Sequence, residues 1–472
     1  MNEEEFNEKF EKLREILLKD QNMYCNIMTE IFTKGIEEQQ LFLGSLKIFE
    51  VSEKDKKKNL KVNLNRIISF ITNSIKKGTD LYQLSSCVYG AFLGDVIGSF
   101  CEFLDSSQNN YKRIFIEEPV CGQMKGQPTD DSEMSMSFAY GVIDNPEKET
   151  IDPNYLYFFY GAWKVSDPCD IGKTTENAFS TFSFEEFLPE KHNFSKVEKS
   201  IEKMNNGSLA NGAIMRKSTF IVWYYNRFYS DIKEAFQGQD NNEALLKLYL
   251  DIKKFSHIDN QCTHPNLELD SASSFYCIMA LMAIYKLEAK VIVGKIQNLC
   301  NFFDKGKNKE IDAYDKKLAN FFIKYINEFK SKNFNFWKFF TKKENVIEHM
   351  GFYQHSLKLL LYYLLNFDKI EEKNKFREIG HQICNLGGDT DTNACIVMGV
   401  LGPLVGMENF GGEFKNMIEL IPKKRAIYTV CLMYLYLKFL KETNRNENIL
   451  KEKFKFLKMI INLCYGKVDI TY

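Results

Sequence analysis

Features that would identify several common classes of protein are missing from this sequence. Its 472 residues include 62 basic and 63 acidic side chains, so the formal net charge is only -1. A chain without a basic excess lacks the electrostatic footprint expected for nucleic acid or an anionic membrane. The sequence opens with acidic and polar residues, and we find no run of about 18 apolar residues. We therefore expect a protein of the cytoplasm, or alternatively of the nucleus, with no nucleic-acid or membrane partner.

The cysteines and histidines lack the spacing of disulfide or zinc ligands. Twelve cysteines are scattered from Cys25 to Cys464 without a Cys-x-x-Cys pair, and the six histidines form no His-x-x-x-His pair. Disulfide frameworks are typical of short secreted chains, and zinc sites usually show such pairs. We therefore expect reduced cysteines and no zinc site.

Proline and strand-like alternation are also scarce, which favours helices. The chain contains only nine prolines, and long stretches show apolar residues at the 3.6-residue period of a helix. The clearest stretches cover residues 81–103, 134–142, 271–287 and 394–405. This pattern predicts an all-α protein.

The composition also predicts how the chain is organised. Residues 1–82 resemble an N-terminal helical extension, whereas the glycine-rich and acidic motifs all fall within residues 83–472. Inside that domain, residues 301–350 are rich in Lys, Asn and Phe without a chemical motif, and we interpret them as a helical insertion. Residues 411–472 are expected to form C-terminal helices.

Three glycines recur four residues apart in the first motif, at Gly90, Gly94 and Gly98. On a helix they form one flat stripe, which allows another backbone to approach closely. Each glycine costs about 1 kcal/mol relative to alanine inside a helix, so three in register indicate a required contact. Asp95 and Glu102 are seven residues apart and would share a helix face. The alternative is a packed core helix with two solvent-facing acids.

Two acidic clusters contain the strongest chemical signal. They are Thr129-Asp130-Asp131-Ser132 and Asp389-Thr390-Asp391-Thr392. Each precedes an apolar periodic run, as a helix N-terminus does, and heavily capped helices are the alternative reading. Two carboxylates with neighbouring hydroxyls exceed the needs of a cap and match the hard oxygen ligands of Mg²⁺ and Mn²⁺. No Gly-Lys-Ser/Thr follows the glycines before the second cluster, which excludes a P-loop.

Three further segments are weaker signals. Residues 206–216 are small, polar and punctuated by glycine before a helix, a pattern that suits a phosphate. Residues 166–175 contain an Asp-x-Gly turn, and residues 262–265 contain His264. For each segment an ordinary structural turn, or a structural histidine, is the alternative.

Taken in order, these segments resemble the ADP-ribosylglycohydrolase family, which includes the ADP-ribosylarginine hydrolases and the hydrolase that reactivates ADP-ribosylated dinitrogenase reductase. The resemblance spans about residues 85–410. It rests on the motifs Gly-Ala-Phe-Leu-Gly-Asp-Val-Ile-Gly-Ser-Phe-Cys-Glu, Thr-Asp-Asp-Ser, Asp-Ile-Gly-Lys-Thr-Thr, Asn-Gly-Ala-Ile-Met-Arg, Thr-His and Gly-Gly-Asp-Thr-Asp-Thr-Asn-Ala.

The resemblance implies an orthogonal all-α helix bundle with a centre of two divalent cations, usually Mg²⁺ or Mn²⁺. The implied metal ligands are Thr129, Asp130, Asp131, Asp389, Asp391 and Thr392. The implied acid–base candidates are Glu102, Asp130, Asp131 and Asp170. The implied substrate-binding residues are Gly172 beside the ribose, and Ser208, Asn211, Gly212 and His264 toward the diphosphate and adenosine.

Two positions depart from the family pattern. Ser132 stands where the family usually has threonine, which keeps a hydroxyl. Ala210 stands where the family more often has glycine before Asn-Gly, and it would be strained if the backbone there needs a positive φ.

These implications define the expected function. We expect a metal-dependent enzyme, a monomer, that hydrolyses the bond between ADP-ribose and arginine in a modified protein, because the Asp-Ile-Gly-Lys-Thr-Thr segment resembles the dinitrogenase-reductase type. One alternative is an O-glycosidic or ester linkage, as in ADP-ribosyl-serine or the small molecule O-acetyl-ADP-ribose, because Glu102 also suits that branch. A non-catalytic ADP-ribose-binding or structural member is the other alternative.

Overall fold

The computed structural model describes residues 78–411, except for 115, 122–127, 146–149, 166–167, 169, 184–185, 188, 238–240, 306–308, 343–348 and 372–374. Within these residues all regular secondary structure is helical, apart from a single antiparallel bridge between Ala210 and Phe352. The predicted all-α class is confirmed. The helices predicted for residues 1–77 and 412–472 lie outside the described residues.

Sixteen α-helices occupy the described part of the chain. In order they are α1 Asp80–Gly98, α2 Asp130–Asp144, α3 Pro153–Val165, α4 Lys173–Ala178, α5 Phe194–Asn205, α6 Gly212–Met215, α7 Lys217–Arg227, α8 Tyr229–Phe236, α9 Asn242–Asn260, α10 Leu267–Ile284, α11 Ala289–Lys305, α12 Ala313–Phe329, α13 Phe336–Phe340, α14 Tyr353–Leu365, α15 Lys375–Leu386 and α16 Thr390–Val405. Short 3-10 helices cover Asn110–Arg113, Pro189–Lys191, Phe367–Lys369 and Met407–Asn409.

Helices α1 and α16 form the most extensive helix pair of the described fold, because glycine lets their backbones touch. A Cβ atom on Gly94 would lie 2.4 Å from the backbone oxygen of Ala394, and one on Gly98 would lie 2.3 Å from Cα of Asp391. Since real Cβ atoms do not approach backbone so closely, any larger residue would separate the helices. The predicted glycine contact is confirmed, and it brings the acidic start of α16 against the end of α1.

The prediction that the first helix continues to residue 103 is wrong, because α1 ends at Gly98. The carbonyl oxygen of Gly98 accepts hydrogen bonds from the Thr390 hydroxyl (2.7 Å) and from the backbone N–H of Cys101 (2.8 Å). The chain therefore turns, and Glu102 lies outside the helix. Asp95 and Glu102 do not share a helix face, and both are buried rather than solvent-facing.

Helix α10 is the apolar helix at the middle of the bundle. Its 18 residues are long and apolar enough to cross a membrane by length and composition, but 94% of them are buried inside the fold. It packs against α9, α12, α14 and α16. Such burial is what a core helix of a folded domain shows.

The predicted insertion at residues 301–350 contains the end of α11 and all of α12 and α13. Its aromatic side chains pack on α14, as in the Phe336–Tyr362 pair, whose ring centroids are 4.8 Å apart. The segment is helical as expected, and its status as an insertion stays a prediction. The eight cysteines of the described residues are all free, as expected.

Candidate metal and active site

The two acidic clusters lie at the starts of α2 and α16, with Thr129 and Asp389 in the N-cap positions. Neither N-cap side chain accepts a hydrogen bond from a backbone N–H of the first turn of its own helix. Capping therefore does not explain these residues, and the alternative reading of two heavily capped helices fails.

Asp95 of α1 supplies the cap that α2 lacks. Its fully buried carboxylate accepts hydrogen bonds from the backbone N–H groups of Thr129 (3.0 Å) and Ser132 (3.2 Å), and from the Ser132 hydroxyl (2.5 Å). Free N–H groups at a helix start need such an acceptor. Because Asp95 satisfies them, the side chains of Asp130 and Asp131 are released for other contacts.

Four chain segments bring their carboxylates together in what we call the acidic centre. Its members are Glu102, Asp130, Asp131, Asp170, Asp389 and Asp391. Glu102, Asp389 and Asp391 each offer an oxygen atom within 4.8 Å of the others. Hydroxyls of Thr129 and Thr392 both donate to Oδ2 of Asp131, at 3.2 Å each. The structure thus places all six predicted metal ligands in one group.

The acidic centre is buried, and no basic side chain of the described residues forms an ion pair with its carboxylates. Burial first, and the nearby carboxylates second, raise the pKa values of Asp130, Asp131 and Asp391 well above the ordinary range. The same causes, with Asp170 as the strongest charge, raise the pKa of Glu102 to about 8. Like charges out of water are costly unless a cation neutralises them.

Two of the predicted substrate-binding residues, Asn211 and Gly172, contact the acidic centre. The Asn211 amide donates to Oδ2 of Asp389 (2.6 Å), and the Gly172 N–H points at Oδ2 of Asp130 (3.4 Å). A Cβ atom on Gly212 would lie 2.8 Å from the His264 ring, so the absence of a side chain lets the two pack. Ser208 lies further out, where its hydroxyl and that of Thr174 are 2.9 Å apart.

Ala210 is not strained. The non-glycine residues with positive φ in the described chain are Phe103, His192, Lys286 and His349. Ala210 instead forms the extended bridge with Phe352, and the next N–H, that of Asn211, donates to Gly351 O (2.7 Å). Extended backbone suits alanine, so the strain considered for this departure from the family pattern is absent.

A second buried group of charges lies beneath the Asn211-Gly212 turn. The sequence motif that ends at Arg216 did not indicate this group. We call it the cation cluster: Arg216, Lys217 and Asp259, all fully buried and paired. Arg216 also donates to the Gly212 carbonyl oxygen (3.3 Å), which ties the turn to the core. Burial lowers the pKa of the neighbouring His264 to about 3, so His264 is neutral at pH 7.

Cys121 is a further site residue that sequence reasoning missed. Its thiol donates to Oε2 of Glu102 (3.1 Å), and it lies with Glu102 and Asp170 in a second group of close ligand atoms. A lone cysteine between Val120 and Gly122 carries no sequence signal of such a role. This hydrogen bond restrains the Glu102 carboxylate.

Comparisons with known proteins identify the family of this chain. The sequence model of the family described as ADP-ribosylglycohydrolase matches residues 81–432. This chain belongs to the ADP-ribosylglycohydrolase family. The predicted resemblance is therefore confirmed, and the protein is a glycosyl hydrolase that acts on ADP-ribose linkages.

Two individual proteins show the same similarity. A protein of Acanthamoeba polyphaga mimivirus, named as a candidate ADP-ribosyl glycohydrolase, is 26% identical over 335 residues, which is 68% of this chain and 86% of the relative. A solved structure described as an ADP-ribosylglycohydrolase-related protein complex is 14% identical with a TM-score of 0.45. That alignment covers 76% of this chain and 98% of the other.

Proposed function

We propose that this ADP-ribosylglycohydrolase removes ADP-ribose from modified arginine side chains, and that it needs two divalent cations, Mg²⁺ or Mn²⁺. The observation that carries the proposal is the acidic centre, in which six buried or half-buried carboxylates converge and none forms an ion pair with a basic side chain in the described part of the chain. The family accounts for the ADP-ribose half of the substrate. The charge of the centre supports both the metal dependence and the arginine linkage.

The residues of the acidic centre fit divalent cations. Oδ1 of Asp131 is buried and has no hydrogen-bond partner among the described residues. This oxygen is therefore able to coordinate a cation. The surrounding donors are carboxylate and hydroxyl oxygens, which Mg²⁺ and Mn²⁺ prefer. When bound, two such ions would supply positive charge that orients the ribose and activates a water. Asp130, Asp131, Asp389 and Asp391 would hold them, with the hydroxyls of Thr129 and Thr392.

The chain's own residues position these ligands. Asp95 holds the start of α2 through two backbone N–H groups, and the Asn211 amide fixes one oxygen of Asp389. Glu102 and Asp170 are the carboxylates of the centre left over for proton transfer at the anomeric carbon. The Cys121 thiol limits the rotation of Glu102. Held in this way, the carboxylates need little rearrangement when a substrate arrives.

The charge balance favours a cationic leaving group. Two divalent ions would neutralise the four carboxylates of Asp130, Asp131, Asp389 and Asp391. The positive charge of the ions would also lower the raised pKa of Glu102. Glu102 and Asp170 would then carry negative charge beside the leaving group, because their carboxylate oxygens and the Cys121 sulfur form one group of close ligand atoms. A guanidinium group is attracted to such a position, whereas a serine hydroxyl gains nothing from it.

A linkage assay tests the proposal directly. Full-length protein with Mg²⁺ is incubated with matched peptides that carry ADP-ribose on arginine or on serine, and released ADP-ribose is measured. We expect cleavage of the arginine-linked peptide, and we expect chelation of Mg²⁺ to abolish it. Cleavage of the serine-linked peptide alone would reject the arginine assignment. The alternative has one observation in its favour, the position of Glu102 inside the acidic centre.

An Asp389→Ala, Asp391→Ala double variant serves as the control for metal dependence. It removes two carboxylates from the start of α16 and should lose turnover more than about 100-fold, since losing groups that merely support metal ligands already costs 10- to 100-fold. Unchanged turnover would reject the metal assignment while leaving the linkage result intact.

A further inference from the structure

Phe103 has an unusual backbone and an unusual environment. It directly follows Glu102, its φ is +58°, and 55% of its surface is exposed. A bulky side chain at positive φ brings Cβ close to the following carbonyl oxygen, so glycine or asparagine is the usual choice there. Because the ring is more than half exposed, burial in the core does not explain why phenylalanine occupies the position.

Backbone hydrogen bonds to the loop before α16 fix the conformation of Phe103. Its backbone N–H donates to the Gly388 carbonyl oxygen (2.7 Å), and the Gly388 N–H donates to Leu104 O (2.9 Å). Gly388 immediately precedes Asp389, the N-cap of α16. Two hydrogen bonds therefore clamp Phe103 between the Glu102 turn and the loop that carries two predicted metal ligands.

The other non-glycine residues with positive φ have ordinary explanations. Lys286 follows the end of α10, where its N–H and that of Leu287 close the last turn onto Ala283 O and Met282 O. A left-handed residue at a helix end is common. His192 is exposed and follows a short 3-10 helix, and His349 is exposed in the turn that leads to Gly351, a glycine beside Asp389. Among these four residues, Phe103 is the one that directly follows a member of the acidic centre. Strained backbone at such a place is characteristic of functional sites.

We propose that Phe103 determines specificity by contacting the leaving group, with its ring against the guanidinium plane of a modified arginine. This inference rests on the proposed arginine linkage. An aromatic face attracts a guanidinium both through the charge of the ring face and through stacking of two planes. Glu102 beside it supplies the negative charge, so one turn of chain carries both elements of cation recognition.

The test compares full-length wild type with Phe103→Gly and Phe103→Leu, using the arginine-linked peptide and Mg²⁺. Both variants should raise KM about three- to thirty-fold with a smaller change in kcat, because the ring contacts the guanidinium in substrate and transition state alike. The inhibition constant of ADP-ribose, which lacks the leaving group, should not change. Phe103→Gly should also keep or raise the melting temperature, since glycine adopts positive φ without strain.

Lys286→Gly is the matched control, because it relieves the same backbone conformation at an exposed position far along the chain from the acidic centre. It should raise the melting temperature without any change in KM. An active wild type with unchanged KM in both Phe103 variants would overturn the inference alone. Weaker inhibition by ADP-ribose in those variants would also overturn it, since the ring would then serve the ADP-ribose half. A wild type inactive on the arginine-linked peptide would reject the proposed linkage, and the stacking role with it.

Discussion

Two buried groups of charges lie close together in this fold, and they differ in how their charges are compensated. In the cation cluster, Asp259 receives hydrogen bonds from Arg216, Lys217 and Tyr160. In the acidic centre, carboxylates face carboxylates, and buried Oδ1 of Asp131 has no partner in the described chain. The charges of the cation cluster are paired by side chains of the protein, whereas those of the acidic centre have no such pairing among the described residues.

The pKa values express this difference. Burial alone would raise the pKa of Asp259, but the charges of Arg216 and Lys217 outweigh burial and lower it to about 2. For Asp131, burial and the charges of Asp95 and Asp389 act in the same direction and raise the pKa. We infer that a buried charge with partners in the chain serves the structure, whereas an uncompensated group marks the place of a ligand.

The largest expected effect on stability belongs to the cation cluster. Asp259→Ala leaves two buried cations without their carboxylate, so it should lower the free energy of unfolding by about 3–5 kcal/mol, measured by urea denaturation. Asp231→Ala is the control, because Asp231 pairs with Lys247 at 3.5 Å on the surface. That change should cost about 1 kcal/mol or less. Equal losses in the two variants would contradict the contrast between buried and exposed pairs.

Removing a carboxylate from the acidic centre should raise the free energy of unfolding, whereas removing Asp259 from the cation cluster lowers it. In metal-free protein, Asp131→Asn removes one of several repelling carboxylates at nearly constant volume. It should therefore raise the free energy of unfolding, on the order of 1 kcal/mol, as is common when a functional site is simplified. Mg²⁺ should raise the melting temperature of wild type more than that of the variant. A destabilised metal-free variant would show that Asp131 serves the fold.

The smallest expected effect is the pH dependence of stability, which has opposite signs for Glu102 in the acidic centre and Asp259 in the cation cluster. Burial, Asp170 and Asp389 raise the pKa of Glu102 from 4.5 to about 8, so between these values the folded chain keeps a proton that the unfolded chain has lost. This contribution to stability is complete below the unfolded pKa and is lost as the pH rises through the folded pKa. Asp259, whose pKa is lowered to about 2, loses its contribution only as the pH falls through that value.

Metal-free protein should therefore melt at a lower temperature as the pH is raised from about 5 to about 8. Glu102→Gln should flatten this slope, and saturating Mg²⁺ should reduce it, because a bound cation compensates the released charge. A melting temperature of the metal-free protein that climbs over the same range, with a slope unaffected by Glu102→Gln, would argue against the assigned cause.

The local features of the fold and of the acidic centre could be predicted from the sequence. The glycines four residues apart predicted the close contact of α1 with another backbone, and the two acidic clusters fell at helix starts as expected. Both signals are short in range, since a helix period and a helix N-terminus are encoded within a few neighbouring residues. The family resemblance then supplied the ligand set, whose members the fold brings together.

The remainder depends on contacts between distant segments. Asp95 caps a helix that begins 35 residues later, and Asn211 bonds Asp389 across 178 residues of chain. The end of α1 at Gly98 depends on the Thr390 hydroxyl, so helical period alone extended it too far. The cation cluster and the positive φ of Phe103 likewise follow from packing. The spacing of residues along the sequence does not predict any of these long-range contacts.

The central claim is that the acidic centre is completed by two divalent cations. It is tested most directly by calorimetric titration of the metal-free, full-length protein with Mn²⁺. We predict two bound ions per chain for wild type, and loss of binding in the double variant Asp389→Asn, Asp391→Asn, with Asp259 untouched. No saturable binding to wild type, or unchanged binding in the double variant, would contradict the account.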